Sequence, residues 1–240
     1  MIKSDESAIE ILTHGSIDVD ELVPWGSNYT FLVTVRDGSQ KVQAVYKPSR
    51  GERPLWDFPD GTLAFREVAA YLVSQSLGWP NVPRTILRDG PQGVGMVQLY
   101  IEMVDRQHFF TLRDKYRDEM KRIAVFDALI NNTDRKGGHV LLGEDGKIWC
   151  IDHGVTFHEY PKLRTVIWDY TEQPIPQKII DDLKRLKPCL VRGESLSDSL
   201  SRLLSPREMK ALRGRLDELI EIGIFPKPPE DWPPVPWPPV

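Results

Sequence analysis

Asn131-Asn132-Thr133-Asp134-Arg135-Lys136-Gly137-Gly138-His139, followed by Ile151-Asp152-His153-Gly154, decides the fold of this chain. An apolar run at helical spacing, residues 120–130, leads into the first block. Val140-Leu141-Leu142 leaves it as a short strand, Glu144-Asp145-Gly146 turns, and residues 147–151 return. Two polar loops therefore flank one hairpin, and each holds a carboxylate at its mouth, Asp134 or Asp152. Clusters of Asn, Asp and Gly are commonly plain turns. Their order here also suits phosphoryl transfer, which needs one carboxylate to orient a hydroxyl and another to hold magnesium against phosphates.

Kinase catalytic loops run Asp-x-x-x-x-Asn, then Asp-x-Gly beyond a hairpin. Here His139 fills the Asn position, and the second motif is Asp152-His153-Gly154. The pair Asp134-Arg135-Lys136-x-x-His139 and Ile151-Asp152-His153-Gly154 resembles the Asp-Arg-His-x-x-Asn and Asp-Phe-Gly motifs of the phosphatidylinositol 3-/4-kinase-related family. It also resembles the small bacterial phosphatidylinositol 3-/4-kinase-like proteins, and its Asn-x-Asp opening resembles HipA-type kinases. Two positions depart from the family pattern. Lys136 replaces a His that assists catalysis there, and His139 replaces an Asn that ligates the second metal ion.

The resemblance implies an α+β, two-lobed protein-kinase-like fold. A β-rich N-lobe is expected over residues 1–104, a mainly helical C-lobe over 105–225 and a Pro/Trp-rich tail over 226–240. It implies ATP with magnesium or manganese between the lobes. Asp134 would orient or deprotonate the acceptor hydroxyl, with Asn132 shaping its loop. Arg135 or Lys136 would neutralise γ-phosphate charge, and Asp152 and His139 would ligate the metal.

The upstream sequence can be read beside that expectation. Residues 5–14 have an apolar side, and residues 16–23, 29–36 and 41–46 read as strands, the last two joined at Asp37-Gly38. Gly26-Ser27-Asn28 lies where a phosphate-covering loop belongs, with Ser27 and Asn28 the candidate contacts; an ordinary β-turn fits equally. Lys47 ends the third strand, and Glu67 sits on the inward side of a helix that begins near residue 65, with Arg66 facing elsewhere. An acid there requires a cation, and Lys47 is the candidate, matching the Lys–Glu pair of kinases. Residues 49–61 are long for a simple loop and read as a flap. Leu99, Tyr100 and Ile101 fall where the resemblance puts the adenine-binding hinge; a buried strand without a ligand fits them equally. Residues 105–116 read as a polar linker. Asp127 interrupts an apolar helical face and must be hydrogen-bonded, so it is read as a brace for the loop at 131–134.

Composition excludes several classes. The 240 residues carry 31 Lys and Arg against 35 Asp and Glu, a net charge of −4, which gives no footprint for nucleic acid. No apolar run approaches the roughly 18 residues of a membrane span, and no apolar leader is evident. Two cysteines are too few for a disulfide framework, so a cytoplasmic protein with reduced thiols is expected. Cys150, His139, His153 and His158 match no zinc spacing. The segment from 155 to 168 is aromatic and basic and sits where a substrate loop would lie. Three helices are expected between 175 and 222, then a polyproline-like tail, either a disordered end or a strap over the C-lobe. The expectation is a monomeric kinase acting on a protein or small-molecule hydroxyl, its own included. A nucleotide-binding pseudokinase and an AMP transferase remain as alternatives, the first favoured by His139.

Overall fold

The structure, a computed structural model, describes residues 5–23, 28–79 and 82–240. Its sheet-rich part holds helix α1 (Asp5–His14) and five antiparallel strands: β1 (Ser16–Leu22), β2 (Phe31–Asp37), β3 (Gln40–Pro48), β4 (Thr85–Gly90) and β5 (Gly93–Leu99). Their spatial order is β1-β2-β3-β5-β4. The two-residue period of a strand divides β3 cleanly. Val42, Ala44 and Tyr46 are buried with Ile11, Leu12, Val33 and Val35. Gln43, Val45 and Lys47 share the other face, where Val45 packs against Ala64 and Val68 of helix α2 (Leu63–Leu77).

Helix α2 starts where the Glu52 carboxylate accepts hydrogen bonds from the amides of Leu63 and Ala64, at 3.0 and 2.8 Å. These are donors that a helix cannot satisfy within itself. The helix stops at Gly78, whose φ of 70° is left-handed. Its apolar side belongs to the helical part of the chain: Ala70, Tyr71, Val73 and Leu77 join Phe109, Met120, Ile123 and Phe126 in one core.

That helical part comprises α3 (Phe109–Leu112), α4 (Arg117–Ile130), the hairpin β6 (Val140–Leu142) and β7 (Ile148–Cys150), then α5 (Gln177–Cys189), α6 (Ser195–Ser201) and α7 (Pro206–Ile222). Ser205 and Glu208 form a reciprocal capping box at the start of α7, with Pro206 at its first position. The stretch expected to be an irregular linker contains α3, because Phe109 and Leu112 are both buried and dock one helical turn. Residues 103 and 104 pair with the hairpin: Met103 bridges Gly143, and the Val104 amide donates to the Leu142 carbonyl at 2.8 Å.

Arg66 does face away from Glu67, as successive helical positions 100° apart require, but it does not face solvent. Its side chain is 2% exposed and donates to Glu208 Oε1 at 2.6 Å and to the Thr156 carbonyl at 2.7 Å. The guanidinium also lies 4.8 Å from the centre of the Phe58 ring. Adjacent residues of α2 thus make separate polar contacts with the helical part. Arg66→Ala strands the Glu208 carboxylate and is expected to cost about 3–5 kcal/mol of unfolding free energy. A denaturant titration with unchanged slope checks this. Arg66→Met combined with Glu208→Leu should lose far less, chiefly the capping contact of about 1 kcal/mol.

Candidate active site

Helix α4 is the stem of the site. It ends at Asn131, left-handed at φ 55°, a conformation that Asn tolerates. The Asn131 side chain donates to the carbonyls of His158 and Tyr160 and accepts from the Lys162 amide at 2.8 Å. One residue therefore turns the chain out of the helix and fixes the segment that follows the second polar loop.

One turn earlier, Asp127 is fully buried against Arg135. The Arg135 Nε and Nη2 atoms donate to the Asp127 carboxylate at 2.9 to 3.2 Å. Nη1 donates to the carbonyls of Ile151 at 2.9 Å and His139 at 3.4 Å, and Nη2 meets His153 Nε2 at 2.7 Å. The expectation that Arg135 faces γ-phosphate is therefore corrected: its donors are committed and it is sealed from solvent. Asp127 braces the loop through side chains, not backbone alone. It also accepts from Asn132 Nδ2 at 2.9 Å, while Asn132 Oδ1 accepts from the Asp134 amide at 3.0 Å. Asn132 is itself fully buried, so it shapes the loop without reaching a ligand.

Asp134 points outward, with Lys136 Nζ 3.3 Å from its carboxylate. Burial raises its pKa; Lys136 pulls it down and Asp152 pushes it up. Asp152, at φ 62°, is a non-glycine residue in the left-handed region, a conformation that clusters at functional sites. One of its oxygens lies 3.0 Å from Lys47 Nζ, and the other 3.4 Å from His139 Nε2. Lys47 also donates to Glu67 Oε1 at 2.8 Å, and Glu67 Oε2 accepts from the His153 amide at 2.8 Å. Glu67 thus joins β3 to the second polar loop. Burial pulls the Lys47 pKa down, but Asp152 and Glu67 more than offset it, so the ammonium stays charged. Lys47 is the main cause holding Asp152 well below the usual carboxylate range.

His139 is largely buried, which lowers its pKa to about 4 despite Asp152. The ring is neutral near pH 7. Its Nδ1 accepts from the Lys136 amide at 3.4 Å, leaving Nε2 on the Asp152 side. Among the described residues no group of three or more His, Cys, Asp or Glu gathers in metal-binding fashion. Burial also pushes the Cys150 thiol up to about 12, so it remains a thiol, unsuited to zinc.

Of the remaining expected contacts, Ser27 lies outside the described residues. Asn28 is tied to the flap, its Oδ1 accepting from the Arg53 amide at 2.7 Å. The Leu99 and Tyr100 amides are used within the sheet, donating to the carbonyls of Arg84 and Gln43. Among the described residues the Ile101 amide has no backbone partner. Tyr100 and Ile101 border a cavity of about 340 Å³ with Gln43 and Trp149.

Motif reading missed how the flap is fastened. Lys162 Nζ meets Asp57 Oδ2 at 2.5 Å and sits 4.6 Å from the centre of the Trp56 ring. His158 Nε2 contacts the Asp57 carbonyl at 3.0 Å, and its ring packs edge-on against Phe58. Beneath this clasp lies a cavity of about 510 Å³ bordered by Asp134, Asp152, Thr133, Arg164, Arg53 and Trp56. The tail is a strap, the second of the two sequence alternatives. Pro239 accepts from the Gly137 amide at 2.7 Å, and Pro234 from the Thr165 amide at 3.0 Å and Trp168 Nε1 at 3.2 Å. A Cβ at Gly137 would lie 2.9 Å from the Phe110 ring and 3.2 Å from the Pro239 carbonyl, so the close approach requires glycine.

A sheet-rich lobe, a helical lobe and paired polar loops around one hairpin define a two-lobed, protein-kinase-like chain. It belongs to the phosphatidylinositol 3- and 4-kinase family, whose model matches residues 64–200. A Mycobacterium tuberculosis protein described only as Protein Rv2133c is 40% identical over 271 aligned positions, covering 97% of this chain and 96% of that one. Phosphatidylinositol 4-kinase gamma 3 of Arabidopsis thaliana is 24% identical over 163 positions, 53% of this chain but 28% of that protein. The crystal structure of the Helicobacter pylori proinflammatory kinase CtkA shares the fold at a TM-score of 0.52 and 14% identity, over 88% of this chain and 94% of that one. No helix among the described residues is long and apolar enough to cross a membrane.

Asp57→Ala removes the flap's ion pair. Hydrogen exchange is expected to quicken in residues 49–62 and 157–164, with a stability loss of about 1 kcal/mol or less because the pair is partly solvated. Unchanged exchange in both segments would show that the clasp does not hold the flap.

Proposed function

We propose that this chain is an atypical kinase that transfers the γ-phosphate of ATP to a hydroxyl of a small molecule or protein, its own chain included. The observation that carries the reading is the Lys47 ammonium held between Glu67 and Asp152 at 2.8 and 3.0 Å. A cation fixed by one carboxylate from a helix and another from an Asp-x-Gly loop suits the α- and β-phosphates of a nucleotide. Gln43 and Lys47 lie on the same face of β3, about 13 Å apart at strand rise, the first beside the Ile101 cavity and the second at the polar loops. Adenine would lie at Ile101 and the phosphates at Lys47.

Asp152 and His139 would hold magnesium or manganese, His139 through Nε2 once its ring proton has moved to Nδ1 and the 3.4 Å contact with the Lys136 amide is given up. A carboxylate and a neutral imidazole leave coordination positions for phosphate oxygens and water, the manner in which magnesium is usually bound. The imidazole moves preference toward manganese. When bound, the ion neutralises charge on the β- and γ-phosphates.

This chain's own residues supply the rest. Asp134 orients the acceptor hydroxyl and takes its proton, and a pKa raised by burial makes it the better base. Lys136, 3.3 Å from Asp134, offsets the negative charge that develops between phosphate and acceptor. The free cysteines suit a cytoplasmic setting.

Asp152→Asn is expected to weaken metal-dependent ATP binding at least tenfold with the fold intact. Lys47→Met should weaken it more than Glu67→Gln does. Asp134→Asn should leave affinity within about twofold yet slow transfer by about 10²–10⁴-fold. Calorimetry measures the binding, and separate incubations with γ- and α-labelled ATP measure transfer. Unchanged ATP–metal affinity in Asp152→Asn refutes the site; movement of the α label instead identifies nucleotidyl transfer, and movement of neither label identifies a pseudokinase.

A further inference from the structure

Arg164 is fixed beside the proposed base by its own backbone. Its amide donates to the Asn132 carbonyl at 2.9 Å, and its carbonyl accepts from the Arg135 amide at 3.1 Å. These two bonds straddle Asp134, so residue 164 cannot shift without the catalytic loop. The side chain borders the same cavity of about 510 Å³ as Asp134 and Asp152. It is close enough to draw the Asp134 pKa downward, although burial wins overall.

The guanidinium is poorly satisfied. Its Nε is buried without a hydrogen-bond partner among the described residues. Nη2 has a 3.4 Å contact with the Val235 carbonyl, near the limit for such a bond. A guanidinium with so few hydrogen bonds keeps donors for a ligand. An arginine fork matches the oxygens of phosphate and carboxylate in two parallel bonds. Arg53 borders the cavity as well, and among the described residues its side chain has no ion-pair partner. Trp56, 93% exposed, offers an apolar face beside it.

The flap borders the space a ligand would enter. Asp57, Phe58 and Trp56 are fastened to Lys162 and His158 across the cavity. A space of this volume suits a small molecule, within the range of ordinary ligand pockets.

We propose that Arg164 reads an anionic group on a small acceptor, a polyol or hydroxy acid bearing a phosphate or carboxylate, and so sets its hydroxyl at Asp134. This rests on the kinase reading above. Glycerol 3-phosphate and glycerol are the probes, added to the protein saturated with ADP and whichever of magnesium or manganese binds it more tightly. Glycerol 3-phosphate is expected to raise the melting temperature and glycerol to leave it unchanged. Arg164→Gln should weaken the glycerol 3-phosphate response at least tenfold in concentration, with the response to ADP and that ion unaltered. Arg164→Lys, which keeps the charge but not the fork, should retain an intermediate response and serves if the glutamine variant does not fold. Labelled transfer from ATP is then compared between soluble polyol phosphates and phosphatidylinositol vesicles.

Equal responses in wild type and Arg164→Gln, or no response to glycerol 3-phosphate in wild type, would overturn the proposal. Transfer confined to vesicles would place the anion on a lipid and overturn the small soluble acceptor. If ADP shifts the wild-type melting temperature with neither magnesium nor manganese, the kinase reading has failed instead.

Discussion

The ion pair between Asp127 and Arg135 is the constraint on which the site depends. Both side chains are fully buried, and charges without water are tolerated when every lone pair and proton is used. Here that condition fixes geometry. Arg135 contacts the carbonyls of His139 and Ile151 and the ring of His153, so one guanidinium ties helix α4, the first polar loop and the second together. Asp134 and Asp152 sit beside members of this network without belonging to it. The Asp134 and Asp152 carboxylates can stay partly exposed because a separate buried pair holds their loops.

A second constraint comes from neighbouring residues on α2. Glu67 reaches Lys47 and the His153 amide, while Arg66 reaches Glu208 and the Thr156 carbonyl. Rotating or sliding this helix would break both sets at once. Each set includes a buried carboxylate, Glu67 or Glu208, which left unpaired inside the protein costs several kcal/mol. The helix is thereby fixed to the helical lobe as well as to the sheet, in keeping with its apolar side packing into that lobe's core. Lys47 gains a defined position relative to Asp152 from this, although the two belong to different lobes.

The elements around Asp134 and Asp152 were legible because strand and helix periods are local. The apolar run into Asn131, the hairpin from Val140 to Cys150 and the alternation in β3 each follow from residues within a few positions of one another. Lys47 and Glu67 were legible as a charge pair because an inward acid demands a cation. Arg135 was misread for the opposite reason: next to Asp134 in sequence, it resembles a phosphate-binding group, and nothing local shows that Asp127 already claims it. Asp57 with Lys162, and Arg164 beside Asp134, are contacts between distant segments that carry no periodicity. Arg164 had one visible signal, its place in a basic and aromatic stretch after the second loop.

The tail shows what kind of information a sequence hides. Its two tryptophans suggested how it would attach, yet Trp237 is 85% exposed. Attachment runs through the carbonyls of Pro234, Val235 and Pro239, which accept from Gly137 of the first polar loop and from residues 164, 165 and 168 after the second. Proline has no amide proton, so a proline-rich strap offers acceptors while bringing few donors that need partners of their own. Loops of the kind that surround Asp134 have the complementary surplus, because irregular backbone leaves amides without ladder partners. Gly137 supplies one such amide and, lacking a Cβ, lets both the Phe110 ring and the Pro239 carbonyl approach it closely. The strap therefore stabilises the loop by matching backbone donors to backbone acceptors, an interaction to which side-chain identity contributes mainly by subtraction.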